Sequence, residues 1–241
     1  NYMMTKMFFE GADYAEVLKE AQDKGYAERN PEADVEGHDA CRKIAILTSL
    51  ISGQHVDFEK IHTEGITKIT TEDMKYAKKL NMAIKLLASS KRMGDTFSVL
   101  VAPMLLSEEH PLCNVNDVFN AVCVEGNMLG ASMFYGSGAG KLPTASAVAG
   151  DMVDAARHLG KIITTFWNPQ KLELAPVGEM THRFFVRMKS DAKDAKVFGD
   201  VEMIDAKIKG EIGFMTPVMS EDAFARKAKN LDIISMIRVA G

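Results

Sequence analysis

The spacing of apolar residues changes from helical to strand period near Leu80, and this change restricts the fold more than any other feature of the chain. Before it, the sequence reads as helices. Asp13 is placed to cap a helix over Tyr14 to Lys24, with Glu16 completing a capping box and Gly25 supplying a left-handed stop. Tyr26 to Asp34, broken by Asn30-Pro31, reads as a loop. A second helix is expected from about Val35 to Ile51, capped by Asp34 and ending at Gly53. A third runs from a cap at Thr70 or Thr71 to Leu80. The first residues also read as helix, already under way where the sequence opens, so further material upstream is expected.

Beyond Leu80 strands take over: Ala83 to Ala88, Phe97 to Leu105, Asn120 to Val124 and Met128 to Tyr135. Glu125-Gly126-Asn127 is read as the hairpin turn between the last two, with glycine at a positive φ. A glycine-rich stretch, Gly136 to Gly140, leads into a long helix from Pro143 to about His158. Proline suits that first turn, where no amide donor is needed. The chain is expected to be α+β, a mixed sheet covered by helices.

A boundary is expected near Trp167 to Pro176, giving units at 1–167 and 176–241. In the second unit Arg183 to Met188 reads as a strand, and Val201 to Lys207 with Ile212 to Thr216 as a hairpin. Ser220 caps a helix through Lys229, and Ile233 to Val239 closes as a strand.

Composition excludes several classes of function. A 46% hydrophobic, 26% charged chain can bury a core, and 29 basic against 33 acidic residues leave no basic excess for nucleic acid. No apolar run approaches the ~20 residues of a membrane span. Three cysteines without CxxC spacing argue against a disulfide framework, and the N-terminus carries no export signal, so a cytoplasmic setting is expected. His55 and His62 lack the spacing and the acidic partner of a zinc pair, and no metal site is expected. The sixteen methionines are spread along the chain and read as core filling.

The chemistry concentrates in the second helix. At 100° per residue, Val35, Asp39, Lys43, Ile46 and Leu50 share a sector of about 80°, which puts two charges on the stripe expected to face the core. A buried ammonium needs a partner, and Asp39 lies one turn before Lys43 to supply it. Glu28, Glu32, Asp34 and Glu36 add acids near the same helix start, a setting for the amino group of a small zwitterion. A lysine desolvated there has its pKa lowered toward that of a general base. The plainer alternative is a surface i,i+4 pair worth a few tenths of a kcal/mol. The run Tyr135-Gly136-Ser137-Gly138-Ala139-Gly140-Lys141 is neither a P-loop nor a dinucleotide fingerprint. It reads as a tight strand-to-helix turn, or as a helix start that meets an anion or a cofactor edge.

These residues, taken in order, resemble homoserine dehydrogenase just beyond its nucleotide-binding domain. The likeness is carried by Asn1-Tyr2-Met3-Met4-Thr5-Lys6-Met7, Leu18-Lys19-Glu20-Ala21-Gln22, Gly25-Tyr26-Ala27-Glu28, Pro31, Asp34, Gly37, Asp39 and Arg42-Lys43-Ile44. It continues through Glu64-Gly65-Ile66, Ile84-Lys85-Leu86-Leu87, Asn120-Ala121-Val122 and the glycine run with Pro143-Thr144-Ala145, covering about residues 1 to 165. The resemblance implies a GAPDH-like dehydrogenase C-terminal domain and interconversion of L-homoserine and L-aspartate 4-semialdehyde with NAD or NADP, toward threonine and methionine. It further implies a homodimer. By the same resemblance Lys43 takes the hydroxyl proton, Asp39 orients substrate or lysine, Glu28 holds the amino group, and Asp34 and Tyr26 line the substrate pocket. Gly136, Gly138 and Gly140 would touch the cofactor, whose main binding domain and a second family lysine are not in this sequence.

The sequence departs from the family where Asn30, not aspartate, precedes Pro31, which removes one negative charge from the pocket rim. The tail is consistent with a small ferredoxin-like, ACT-like β-α-β-β-α-β module, or with a small sheet used for packing. Its first helix is short, and Asp191-Ala192-Lys193-Asp194 stands where a Pro-Gly ligand turn is usual, so a threonine sensor is not expected. The rival reading is a non-catalytic regulatory or dimerisation module with a structural Asp39–Lys43 pair. Another semialdehyde dehydrogenase is disfavoured, because no catalytic cysteine with a partner histidine is present.

Overall fold

A computed structural model describes residues 1–164, 167–189 and 192–240. Four helices come first: α1 (Tyr2–Glu10), α2 (Tyr14–Asp23), the single turn α3 (Glu32–Val35) and α4 (His38–Ser52). Short strands β1 (Gln54–His55) and β2 (His62–Thr63) precede α5 (Thr71–Lys79). The long strands β3 (Met82–Met93) and β4 (Thr96–Ser107) follow, then the hairpin β5 (Phe119–Gly126) and β6 (Gly130–Ser137), and α6 (Lys141–Arg157). The tail holds β7 (Asn168–Lys171), β8 (Thr181–His182), β9 (Phe184–Met188), α7 (Ala192–Ala195), β10 (Glu202–Ile204), β11 (Ile212–Met215), β12 (Met219–Ser220), α8 (Glu221–Ala228) and β13 (Ile233–Val239).

Local signals set most helix ends. The Asp13 carboxylate accepts from the Ala15 amide at 2.9 Å, Thr70 and Asp73 form a capping box, and Ser220 accepts from the Ala223 amide. The second predicted helix is corrected. It starts at His38 rather than Val35, because Gly37 turns the chain at φ +77° and leaves Val35 in the separate turn α3. The hairpin turn is corrected too: the left-handed residue is Gly130, at φ +76°, and not Gly126.

The fold is a mixed α+β arrangement. A seven-stranded sheet runs β10-β11-β9-β13-β4-β2, with β3 along the other edge of β4. The antiparallel pair β3–β4 is continuous from Met82↔Ser107 to Met93↔Thr96. On its far edge β4 pairs in parallel with β2 at Leu100 and Val101, and with β13 at Met104 and Leu105. Strands on both sides of residues 167–176 therefore share one sheet, and one core cluster joins Met4, Met7 and Tyr76 to Phe185, Met215 and Ile237.

Buried ion pairs reinforce that join. Arg187 on β9 bonds Asp73 of α5 and Glu211 at 2.8 Å each. Arg238 on β13 grips both oxygens of Glu64 at 2.8 and 2.9 Å and also bonds Glu221. Burial pushes the Glu64 carboxyl up, but hydrogen bonds from His62 and Arg238 outweigh it and hold the group at about 2. Glu64 also packs on the start of α4, since a Cβ on Gly37 would meet its carbonyl oxygen at 3.3 Å.

Candidate active site

The start of α4 faces a cavity of about 360 Å³ bordered by Tyr26, Asp34, Asp39, Lys43, Lys85 and Gly138. Each reaches it for a local reason. The end of α2 bends at Gly25, φ +72°, so that the amides of Tyr26 and Ala27 both return to the Ala21 carbonyl. Tyr26 is then held against the Tyr2 ring, with centroids 5.2 Å apart, and the Tyr2 hydroxyl donates to Glu20 at 2.6 Å. Turn α3 presents Asp34, and the first turns of α4 present Asp39 and Lys43. Lys43 Nζ donates to Asp39 Oδ2 at 2.5 Å.

The expected burial of this pair is corrected. The Lys43 side chain is 71% exposed and that of Asp39 48%. With the helix starting at His38, its inward face is Cys41, Ile44, Ala45, Thr48 and Ser49, whereas Ile46, Leu50 and Ile51 point outward. Small polar groups can face inward because they are bonded. Thr48 donates to Ser90 at 2.8 Å, and the Ser49 hydroxyl donates to the Ala45 carbonyl while accepting from the Val56 amide. The pair thus sits at the open mouth of the cavity rather than inside a closed one.

Not all predicted site residues meet there. Glu28 is exposed and does not border the cavity; its loop is tied back by Gln22, which donates to the Glu28 carbonyl at 3.0 Å. Of the three loop glycines, Gly138 borders the cavity and Gly136 and Gly140 do not. A Cβ on Gly138 would fall 2.2 Å from Asn120 Nδ2, and Gly140 takes φ +109° at the start of α6. The loop therefore meets the cavity through Gly138 and the small Ala139. It carries no carboxylate to read a ribose.

One residue of the site was not singled out from the sequence. Lys85, in the middle of β3, is 7% exposed; burial pushes its ammonium down to about 8, slightly opposed by the nearby Cys113 thiol. Its signals were its place in the family-like run Ile84-Lys85-Leu86-Leu87, which assigned it no role, and a charge inside the otherwise apolar run Ala83 to Ala88.

This is an α+β domain with an amine paired to a carboxylate at a cavity mouth, opposite a glycine loop. A family model described as homoserine dehydrogenase matches residues 1–153. The homoserine dehydrogenase of Bacillus subtilis is 37% identical, covering 99% of this chain and 59% of the relative. That of Helicobacter pylori is 39% identical, covering 96% and 54%. A solved homoserine dehydrogenase from Thiobacillus denitrificans superimposes with a TM-score of 0.83 at 30% identity, over 100% of this chain and 61% of that one. A hyperthermophilic archaeal homoserine dehydrogenase mutant in complex with NADPH matches with a TM-score of 0.51 at 28% identity, over 67% and 46%. The chain belongs to the homoserine dehydrogenase family, and it spans about three fifths or less of the length of these relatives.

Proposed function

We propose that this chain supplies the substrate-binding part of an enzyme that interconverts L-homoserine and L-aspartate 4-semialdehyde with NAD or NADP. The observation that carries this reading is the Asp39–Lys43 pair at the mouth of a cavity that also meets Asp34, Tyr26 and the glycine loop. The acids around the mouth suit the amino group of homoserine, with Glu28 joining them once the loop 26–34 is drawn in. As homoserine is oxidised, the hydroxyl proton passes to Lys43 Nζ in its neutral amine form, and the ammonium so formed is stabilised by the Asp39 carboxylate beside it. In reduction Lys43 returns that proton to the carbonyl oxygen. NAD(P), when bound, supplies the hydride acceptor or donor at the substrate carbon. The backbone of Gly138 can meet its nicotinamide edge, with Gly136 and Gly140 shaping the turn, and the rest of the cofactor requires protein outside this chain. Closure by that protein also accounts for a mouth left open here.

Uncovered apolar surface supports a homodimer. The hairpin exposes Phe134, Tyr135, Met133 and Val122, and no residue of α6 is buried. Strands β9, β10, β11 and β13 with α7 and α8 follow β-α-β-β-α-β order and lie side by side as β10-β11-β9-β13. This order supports a ferredoxin-like, ACT-like unit in the tail. Its own apolar cluster around Phe184, Phe198, Phe214 and Phe224 supports treating it as a second unit. Of the run Asp191-Ala192-Lys193-Asp194 after β9, Asp191 lies outside the described residues. The reaction belongs to cytoplasmic amino-acid biosynthesis leading to threonine and methionine, and among the described residues no helix is long and apolar enough to cross a membrane.

The test is steady-state oxidation of L-homoserine by the complete protein, followed as NAD(P)H absorbance. Wild type is expected to turn over, and Lys43→Ala to lose about 10²–10⁴-fold in kcat with homoserine KM largely kept. Unchanged turnover would make the Asp39–Lys43 pair structural.

A further inference from the structure

Among the described residues, no acid neutralises the buried Lys85. It lies on the face of β3 where Ala83 and Leu87 pack into a cluster with Leu100, Met104 and Cys113. Its ammonium donates to the Val115 carbonyl at 2.6 Å, to Asn116 Oδ1 at 2.7 Å and to Asn1 Oδ1 at 3.5 Å. Among the described residues it makes no ion pair with a carboxylate, unlike buried Arg187 and Arg238. An apolar side chain of similar length would fill the same space without the cost of desolvating a charge. Packing therefore does not explain an amine at this position.

What the amine holds is a strap, residues 114–120, that crosses from the end of the core to the hairpin. Asn1 Nδ2 gathers the same strap, donating to the carbonyls of Val115, Asp117 and Phe119 at 3.1, 3.3 and 2.7 Å. The strap in turn holds the glycine loop. The Gly138 amide donates to the Val118 carbonyl at 3.3 Å, and the Phe119 ring stacks on Tyr135 with centroids 4.9 Å apart. Val115, Asp117 and Asn120 also border the cavity. Lys85 thus stands between its two walls: the acids and amine on α3 and α4, and the strap with the glycine loop.

Resting on the function proposed above, we propose that Lys85 is a positioning residue: by tying the strap to β3, it sets the glycine loop, and the cofactor edge against it, at the reacting distance from the substrate. Hydride transfer is sensitive to such placement, and a misplacement of 1 Å can cost on the order of 100-fold in rate. Without the ammonium, the Val115 and Asn116 oxygens lose their donor and the strap relaxes toward water. The acids that bind the substrate lie on other elements and stay where they are.

The test uses the complete protein with Lys85→Met, Asn116→Ala and, as reference, Lys43→Ala. Lys85→Met is expected to fold, to lose about tenfold or more in kcat, and to keep its homoserine KM within about twofold. Asn116→Ala keeps the ammonium but removes one acceptor at a half-buried position, and it should lower kcat several-fold in the same way even if Lys85→Met does not fold. Folded variants with wild-type kcat would overturn the proposal. So would a rise in homoserine KM with kcat intact, which marks a substrate contact instead. If Lys43→Ala turns over normally, the reading of the site itself fails and the proposal with it. If Lys43→Ala is inactive while Lys85→Met and Asn116→Ala behave as wild type, only the role of Lys85 falls.

Discussion

Two lysines at one cavity illustrate how differently the same side chain can be held. Lys43 is exposed and faces a carboxylate, and its pair contributes only a few tenths of a kcal/mol to the fold. Lys85 is buried and faces carbonyls, and burial lowers it from 10.5 to about 8. The sign of the pH effect follows. Between pH 8 and 10.5 the unfolded chain still carries the proton that the folded one has released, so stability from this group rises with pH across that window. Denaturation midpoints of wild type should gain on those of Lys85→Met between pH 8 and 10, and a constant difference would contradict the burial of a charged amine. Lys43 was legible because an i,i+4 acid and amine form a local pattern. Lys85 was not, because its partners Val115 and Asn116 lie about 30 residues away and are recognised by backbone and amide oxygens that leave no charge signature.

Among elements, α4 decides where the site points. Its start is set by Gly37 and by Gly65, where a Cβ would fall 2.2 Å from the Val35 carbonyl oxygen and 2.4 Å from Glu36 Cα. Both are backbone atoms with little freedom to move. Gly65→Ala should therefore cost about 1–3 kcal/mol and lower the melting temperature by roughly 2–12 °C. An unchanged melting curve would show that the 64–66 segment does not brace α4. The caps of α2, α5 and α8 were readable at Asp13, Thr70 and Ser220, because a cap is an interaction within four residues. The inward face of α4 was not readable. Periodicity favoured Ile46 and Leu50, but the surface that β3 and β4 offer accepts the smaller Cys41, Ala45, Thr48 and Ser49.

At the scale of the whole molecule, β4 is the seam, with β3 along one edge and both β2 and β13 along the other. The run of strands after Leu80 was visible as alternation, and the closing strand Ile233–Val239 was bounded as it is found. Its neighbour was not visible, since a parallel pair such as Arg238↔Met104 depends on contacts more than a hundred residues apart. The sheet carries α4 on one side of the cavity and the strap with its glycine loop on the other. That geometry is tested most directly by a crystal structure of the complete protein with L-homoserine bound. The expected result is the amino group among Glu28, Asp34 and Asp39, with the hydroxyl in hydrogen-bonding distance of Lys43 Nζ and the reacting carbon turned toward Gly138. Homoserine bound elsewhere, or with its hydroxyl turned away from Lys43, would contradict it.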